Sequence, residues 1–188
     1  MTYIDGMRSS NKTRILDAAI RVINRDGVRA VTFESVSAEA GLTRGGLLYH
    51  FPSRDALLRG IDTHLLQAWE ASMEALMGKP TADSAASERH AAFMRVSAQS
   101  ATRAELVFML ESMDPESETV PWGEAMERWA PGAPSADAEG ALDPVALDAF
   151  VARLAADGLW IHEAIYRDKL DDRVRQAVVE RLLTLAGR

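Results

Sequence analysis

The stretch that decides the fold is Thr32-Phe33-Glu34-Ser35-Val36-Ser37-Ala38-Glu39-Ala40-Gly41-Leu42-Thr43-Arg44-Gly45-Gly46-Leu47-Leu48-Tyr49-His50-Phe51-Pro52. Thr32 and Thr43 each stand just before a short run with helical apolar spacing. There a hydroxyl oxygen can accept from an orphan backbone N–H of the first turn. Phe33, Val36 and Ala40 fall on one face of the first run, Gly41 ends it, and Leu42 reads as a packing residue of the turn. The second run must stop before Pro52, because the residue preceding a proline is pushed out of the helical region. Two short helices joined through Gly41-Leu42-Thr43 form the helix-turn-helix pattern.

Working outward, Ile15, Ala19, Val22 and Ile23 form one stripe of a helix over about Asn11 to Asp26, capped by Ser10 or Asn11 and ended by Gly27. Ser53 caps a long fourth helix, with Asp55 in its first turn, that runs to about Met77. Residues 78–87 read as a connection, followed by helices over 86–100 and 103–113. Residues 114–144 hold five of the seven prolines, which predicts loop around a short helix at 122–129. Asp143 followed by Pro144 is a helix-start signature, and that helix runs to about Tyr166. A last helix is capped by Asp171 or Asp172 and ends near Gly187. The expected fold is all-α, with about nine helices and no sheet.

Composition bounds the function. The chain has 188 residues, 47% of them apolar and 26% charged, which is ordinary for a soluble globular protein large enough for a real core. It contains no cysteine, which removes disulfides, thiol nucleophiles, thiolate zinc sites and iron–sulfur clusters. The opening MTYIDGMRSSNKT lacks the apolar stretch of a secretory signal, and no apolar run is long enough to span a membrane. A cytoplasmic location without a membrane partner is expected. The net charge is −7, but it is unevenly spread. Residues 1–60 carry nine Lys and Arg against six acids, whereas the remainder carries twelve against twenty-two. A basic first third on an acidic body suggests one module facing an anionic partner.

Double-stranded DNA admits a helix only in its major groove, approached by the N-terminal turns of that helix. There the sequence reads Thr43-Arg44-Gly45-Gly46. A hydroxyl and a guanidinium suit phosphate or a guanine edge, and two glycines strip away bulk so that the backbone can come close. Each glycine costs about 1 kcal/mol relative to alanine in a helix, which a purely structural helix has little reason to bear.

The segment from about Thr13 to Gly60 resembles the DNA-binding domain of the TetR family of bacterial transcriptional regulators. The matching residues are Ile15-Leu16-Asp17-Ala18-Ala19, Gly27, Thr32-Phe33-Glu34-Ser35-Val36, Ala40-Gly41-Leu42-Thr43-Arg44-Gly45 and Leu48-Tyr49-His50-Phe51-Pro52-Ser53-Arg54-Asp55-Ala56-Leu57-Leu58. The family usually places its tyrosine one residue earlier, where Leu48 stands here. The resemblance implies a homodimeric, ligand-responsive repressor on palindromic operator DNA. By position, Thr32 would touch phosphate, Thr43, Arg44, Gly45 and Gly46 would meet the groove, Tyr49 and His50 would reach phosphate or bases, and Arg54 would grip phosphate. Tyr49 has an alternative role as half-buried support, and Phe51 is expected in the core. The implied domains are a disordered arm at 1–9, a helix-turn-helix domain at 10–58 and a helical ligand-binding and dimerisation domain at 59–188. A helical protein–protein adaptor that keeps the head without ligand control is the alternative reading.

In the body, Leu147, Val151, Leu154, Gly158, Ile161 and Ile165 recur at heptad spacing, and Val174, Val178, Leu182 and Leu185 stripe the last helix. They suit a four-helix dimer interface, two helices from each chain, with an intrachain core as the competing account. Trp69, Met73, Phe93, Phe108, Met109, Met113, Trp122, Met126 and Trp160 are candidates for a pocket holding a small apolar effector, with ordinary core packing as the competing account. No enzyme is expected, and neither a metal nor a cofactor. His50, His64, His90 and His162 are scattered, without His-x-x-x-His or Glu-x-x-His spacing, and no phosphate-binding loop is present.

Overall fold

Side-chain caps set most helix starts in the computed structural model, which describes residues 2–99, 101–111, 122–166 and 170–187. Among the described residues there are nine α-helices and no strand. These are α1 (Thr2–Asp26), α2 (Phe33–Ala40), α3 (Arg44–His50), α4 (Arg54–Met77), α5 (Ala86–Val96), α6 (Arg103–Glu111), α7 (Trp122–Trp129), α8 (Pro144–Ile165) and α9 (Asp172–Ala186). None is long and apolar enough to cross a membrane.

The caps of α2, α3, α4, α8 and α9 are those the sequence suggests, whereas Ser10 and Asn11 lie inside α1. Thr32 Oγ1 accepts from the Ser35 N–H at 3.1 Å, and Thr43 Oγ1 accepts from Gly46 N–H at 3.1 Å. Ser53 caps α4 through Ala56 N–H at 3.1 Å, and Asp143 caps α8 through Val145 N–H at 3.0 Å. Of the two candidates for α9, Asp171 is the cap, accepting from Arg173 N–H at 2.9 Å. Gly41 ends α2 with φ of 61°, a left-handed conformation that a side chain resists.

Two boundaries differ from expectation. Helix α1 begins at Thr2 rather than Asn11. Helix α5 stops at Val96, short of Ser100, where the Ser97 hydroxyl bonds back to the Phe93 carbonyl at 2.9 Å and the chain turns. The expected end of α6 at Met113 and the first part of the proline-rich stretch lie outside the described residues.

The chain divides into two compact units, Met1–Gln67 with Thr102–Val120, and Ala68–Ala101 with Pro121–Arg188. The first therefore includes α6, a helix that the sequence assigns to the body. Its core consists of Ile15, Ala18, Ala19, Val22 and Ile23 of α1 packed with Val31, Val36, Leu47, Phe51, Leu57 and Ile61, all buried. Gly60 makes room for the Phe51 ring, since a Cβ there would lie 2.6 Å from Phe51 Cε1. Helix α6 docks on the end of α1. Asn24 Oδ1 accepts from Ala104 N–H at 2.9 Å, satisfying an orphan donor of α6 from another helix, and Ala104 and Phe108 are buried.

In the second unit, Trp69 and Met73 from the end of α4 are buried with Phe93, Trp122 and Trp129. The Trp69 ring lies 6.1–6.4 Å from the other three rings. Glu70 accepts from Trp129 Nε1 at 3.0 Å and from Arg128 Nη2 at 2.8 Å, which closes the edge of this aromatic cluster. Helix α8 packs against α9 and α5 through Ala152, Ala156, Leu159 and Glu163. Glu163 is only 2% exposed and pairs with Arg175 of α9 at 3.1 Å, while Arg175 also donates to the Leu170 carbonyl.

Candidate nucleic-acid interface

Helix α3 has a buried side and an open one. Leu47 and Phe51 turn into the core, whereas Thr43, Arg44, Gly45, Leu48 and Tyr49 are exposed, and Gly46 and His50 are half-buried. Tyr49 is 66% exposed with its ring edge-on to His50 at 5.2 Å, so it stands outward rather than acting as half-buried support. The open side is the N-terminal turn together with the strip that continues from it, the part of a helix that fits a major groove.

The two glycines differ. A Cβ on Gly45 would meet nothing within 4 Å, so the fold itself gives no steric reason for glycine there. A Cβ on Gly46 would approach Thr43 Oγ1 at 3.3 Å, which ties Gly46 to the cap. The Thr43 oxygen accepts in that cap, and its O–H remains able to donate outward. Thr32 is exposed but more committed, in a reciprocal box with Ser35, whose Oγ accepts from Thr32 N–H at 3.0 Å.

Several arginines of the head are held in ion pairs. Arg44 pairs with Glu34 of α2, Nη1 to Oε1 at 2.8 Å, with both side chains about two-thirds exposed, at 64% and 65%. Arg21 and Arg25 of α1 both engage Glu39 of α2, at 2.8 and 3.0 Å. Those hydrogen bonds, Arg21's first and then Arg25's, hold the Glu39 carboxyl below its ordinary range. The Lys12 ammonium lies 5.9 Å from the centre of the Phe51 ring. Arg54, which the resemblance places on phosphate, also donates within the fold. Its Nε donates to the Val31 carbonyl at 3.0 Å and its Nη2 to the Val28 carbonyl at 3.1 Å, stapling the 3-10 turn at Val28–Ala30 to the start of α4.

Glu34 and Glu39 are residues that sequence reasoning passed over. The only available signal was that they are acids within an otherwise basic segment.

The body candidates separate in the same way. Leu147, Val151, Leu154, Gly158, Ile161, Ile165 and Val174 are exposed, Val178 and Leu185 are half-buried, and Leu182 is buried at 5% exposure. A shallow apolar depression of about 470 Å³ on α9 is lined by Arg173, Val174, Ala177, Val178, Arg181 and Leu182. Of the pocket candidates, Trp69, Met73, Phe93 and Trp122 are buried in the second unit, and Met126 and Trp160 there are half-buried. Phe108 and Met109 belong to the first unit, and Met113 lies outside the described residues.

An all-helical chain whose first unit presents an open, capped helix after a tight glycine turn defines a helix-turn-helix protein. The family model for bacterial regulatory proteins of the tetR family matches residues 15–61, and a tetracyclin repressor-like C-terminal domain matches 87–187. The chain belongs to the TetR family. Over 67 residues it is 33% identical to the HTH-type transcriptional regulator RutR of Escherichia coli K12, a match covering 36% of this chain and 32% of RutR. The chain thus spans about a third of the length of the curated relatives it matches. Its fold resembles SCO4454, a TetR-family transcriptional regulator from Streptomyces coelicolor, at 19% identity and a TM-score of 0.60, covering 95% of this chain and 93% of that one. It also resembles the multidrug binding protein EbrR complexed with malachite green, at 21% identity and a TM-score of 0.54, over 91% and 96% of the two chains.

Proposed function

We propose that the protein is a sequence-specific transcriptional regulator, a repressor that binds palindromic operator DNA as a homodimer and is released by a small, mainly apolar effector. The open face of α3 carries this reading. It exposes Thr43, Arg44, Gly45 and Tyr49 together, with an empty space over Gly45 that nothing within the fold requires. In this reading Thr32, Gly46, His50 and Arg54 add phosphate and backbone contacts. The homodimer is supported by the exposed stripe of α8, which in a single chain leaves Val151, Leu154, Ile161 and Ile165 in water. A second copy laying the same stripe against it would form a four-helix interface.

For the effector, α4 is the natural carrier, since one helix starts in the first unit and ends among the tryptophans of the second. An effector releases DNA only if it prefers the released state, and a 100-fold effect needs about 2.7 kcal/mol of preference. A small-molecule effector is supported by a structural neighbour, the multidrug binding protein EbrR, which is complexed with malachite green. The test is a mobility-shift assay on DNA upstream of the protein's own gene. A specific complex that weakens steeply with salt, as condensed counterions are released, is the expected result. Equal affinity for unrelated duplex DNA would overturn the reading.

A further inference from the structure

The acid facing Arg44 is out of place on a DNA-binding surface. Glu34 sits in the first turn of α2, where a negative charge favours the helix dipole, but that accounts for only about 0.3–1 kcal/mol and not for its aim at Arg44. Nor does stability require the pair. Exposed ion pairs contribute about 0–1 kcal/mol, and α2 and α3 are already fixed by the Gly41 turn and by buried Val36 and Leu47. A carboxylate on this face also repels phosphate, which opposes affinity for every DNA sequence.

We propose that Glu34 is a specificity-determining residue that acts through Arg44. This rests on the reading of α3 as the DNA-reading helix. The guanidinium is a planar fork with five N–H donors. The ion pair at Nη1 biases the guanidinium toward one orientation and leaves the edge formed by Nε and Nη2 open, and that edge matches the O6 and N7 acceptors of guanine. An unrestrained arginine swings to any nearby phosphate and binds all sequences alike. A restrained one that is already neutralised gains little from phosphate and much from a correctly placed guanine. The carboxylate thereby lowers non-specific binding and directs the remaining donors to one base pair.

The test is in vitro selection from a random duplex library, followed by affinities for each base at the preferred position. It uses wild type, Glu34→Gln, Arg44→Ala and the double variant, with thermal unfolding run alongside. Both side chains are exposed, so all four proteins are expected to melt alike. Glu34→Gln should reduce discrimination at the Arg44 base pair about tenfold and tighten binding to unrelated duplex DNA. In the Arg44→Ala background, Glu34→Gln should leave base preference unchanged. Unaltered preference in Glu34→Gln would overturn the proposal. So would a change that persists without Arg44, since Glu34 would then read a base itself. A wild type with no preferred sequence would overturn both this proposal and the reading beneath it.

Discussion

At residue scale, Gly45 and Arg54 make opposite predictions about what the head is built for. Gly45 has open space where a Cβ would go, so Gly45→Ala is expected to raise folding stability by up to about 1 kcal/mol. If α3 reads DNA as proposed, the same methyl group would occupy the room through which the helix backbone approaches it, and operator affinity should fall at least about tenfold. Thermal unfolding and a binding isotherm on one preparation measure both, and a variant that binds DNA normally removes Gly45 from the interface. Arg54 donates to two backbone carbonyls, so Arg54→Ala should lower stability by about 1 kcal/mol, the modest end for a charged donor at an exposed site. Its charge still stands at the start of α4, so the slope of log affinity against log salt should also fall by about one. Loss of stability with an unchanged slope would make Arg54 a staple only.

At element scale, the test for α5 is its response to acid. His90 is half-buried, and burial, then the neighbouring charges of Arg89 and Arg153, hold its imidazolium form below its ordinary pKa. The unfolded chain therefore takes up this proton at a higher pH than the native one. Stability should fall as pH drops from the ordinary histidine value through the lower native one. His90→Gln should remove that part of the slope, as read by denaturant unfolding at several pH values. An identical pH profile in the variant would rule His90 out as the cause. The elements also show what was legible in sequence. The helix-turn-helix was readable because Thr32, Gly41, Thr43 and Ser53 act on groups within three residues of themselves. The docking of α6 on α1 was not, because Asn24 and Ala104 lie 80 positions apart and an amide side chain carries no sign of its distant partner. Arg44 with Glu34, and Arg54 with Val28 and Val31, depend on interhelix angles for the same reason. In α8 two heptad stripes compete, and bulk hydrophobicity points to Leu147, Val151 and Leu154. The chain instead buries the small Ala152 and Ala156, which let α9 and α5 pack close.

At the scale of the whole molecule, the exposed stripe of α8 predicts a particle of twice 20.6 kDa. Leu154 is 54% exposed, so Leu154→Glu should leave the folded chain intact while placing charge in a dimer interface. Sedimentation should then give the mass of one chain, and binding to a two-half-site operator should weaken far more than binding to a single half-site. A Leu154→Glu protein that remains dimeric would move the interface elsewhere. Sequence-specific reading of DNA by α3 is the central claim, and selection from a random duplex library with the unmodified protein tests it most directly. The account predicts a palindromic motif whose half-site centres lie about 10 base pairs, or a multiple of that, apart. Recovery of no motif, with affinity set by salt alone, would contradict it.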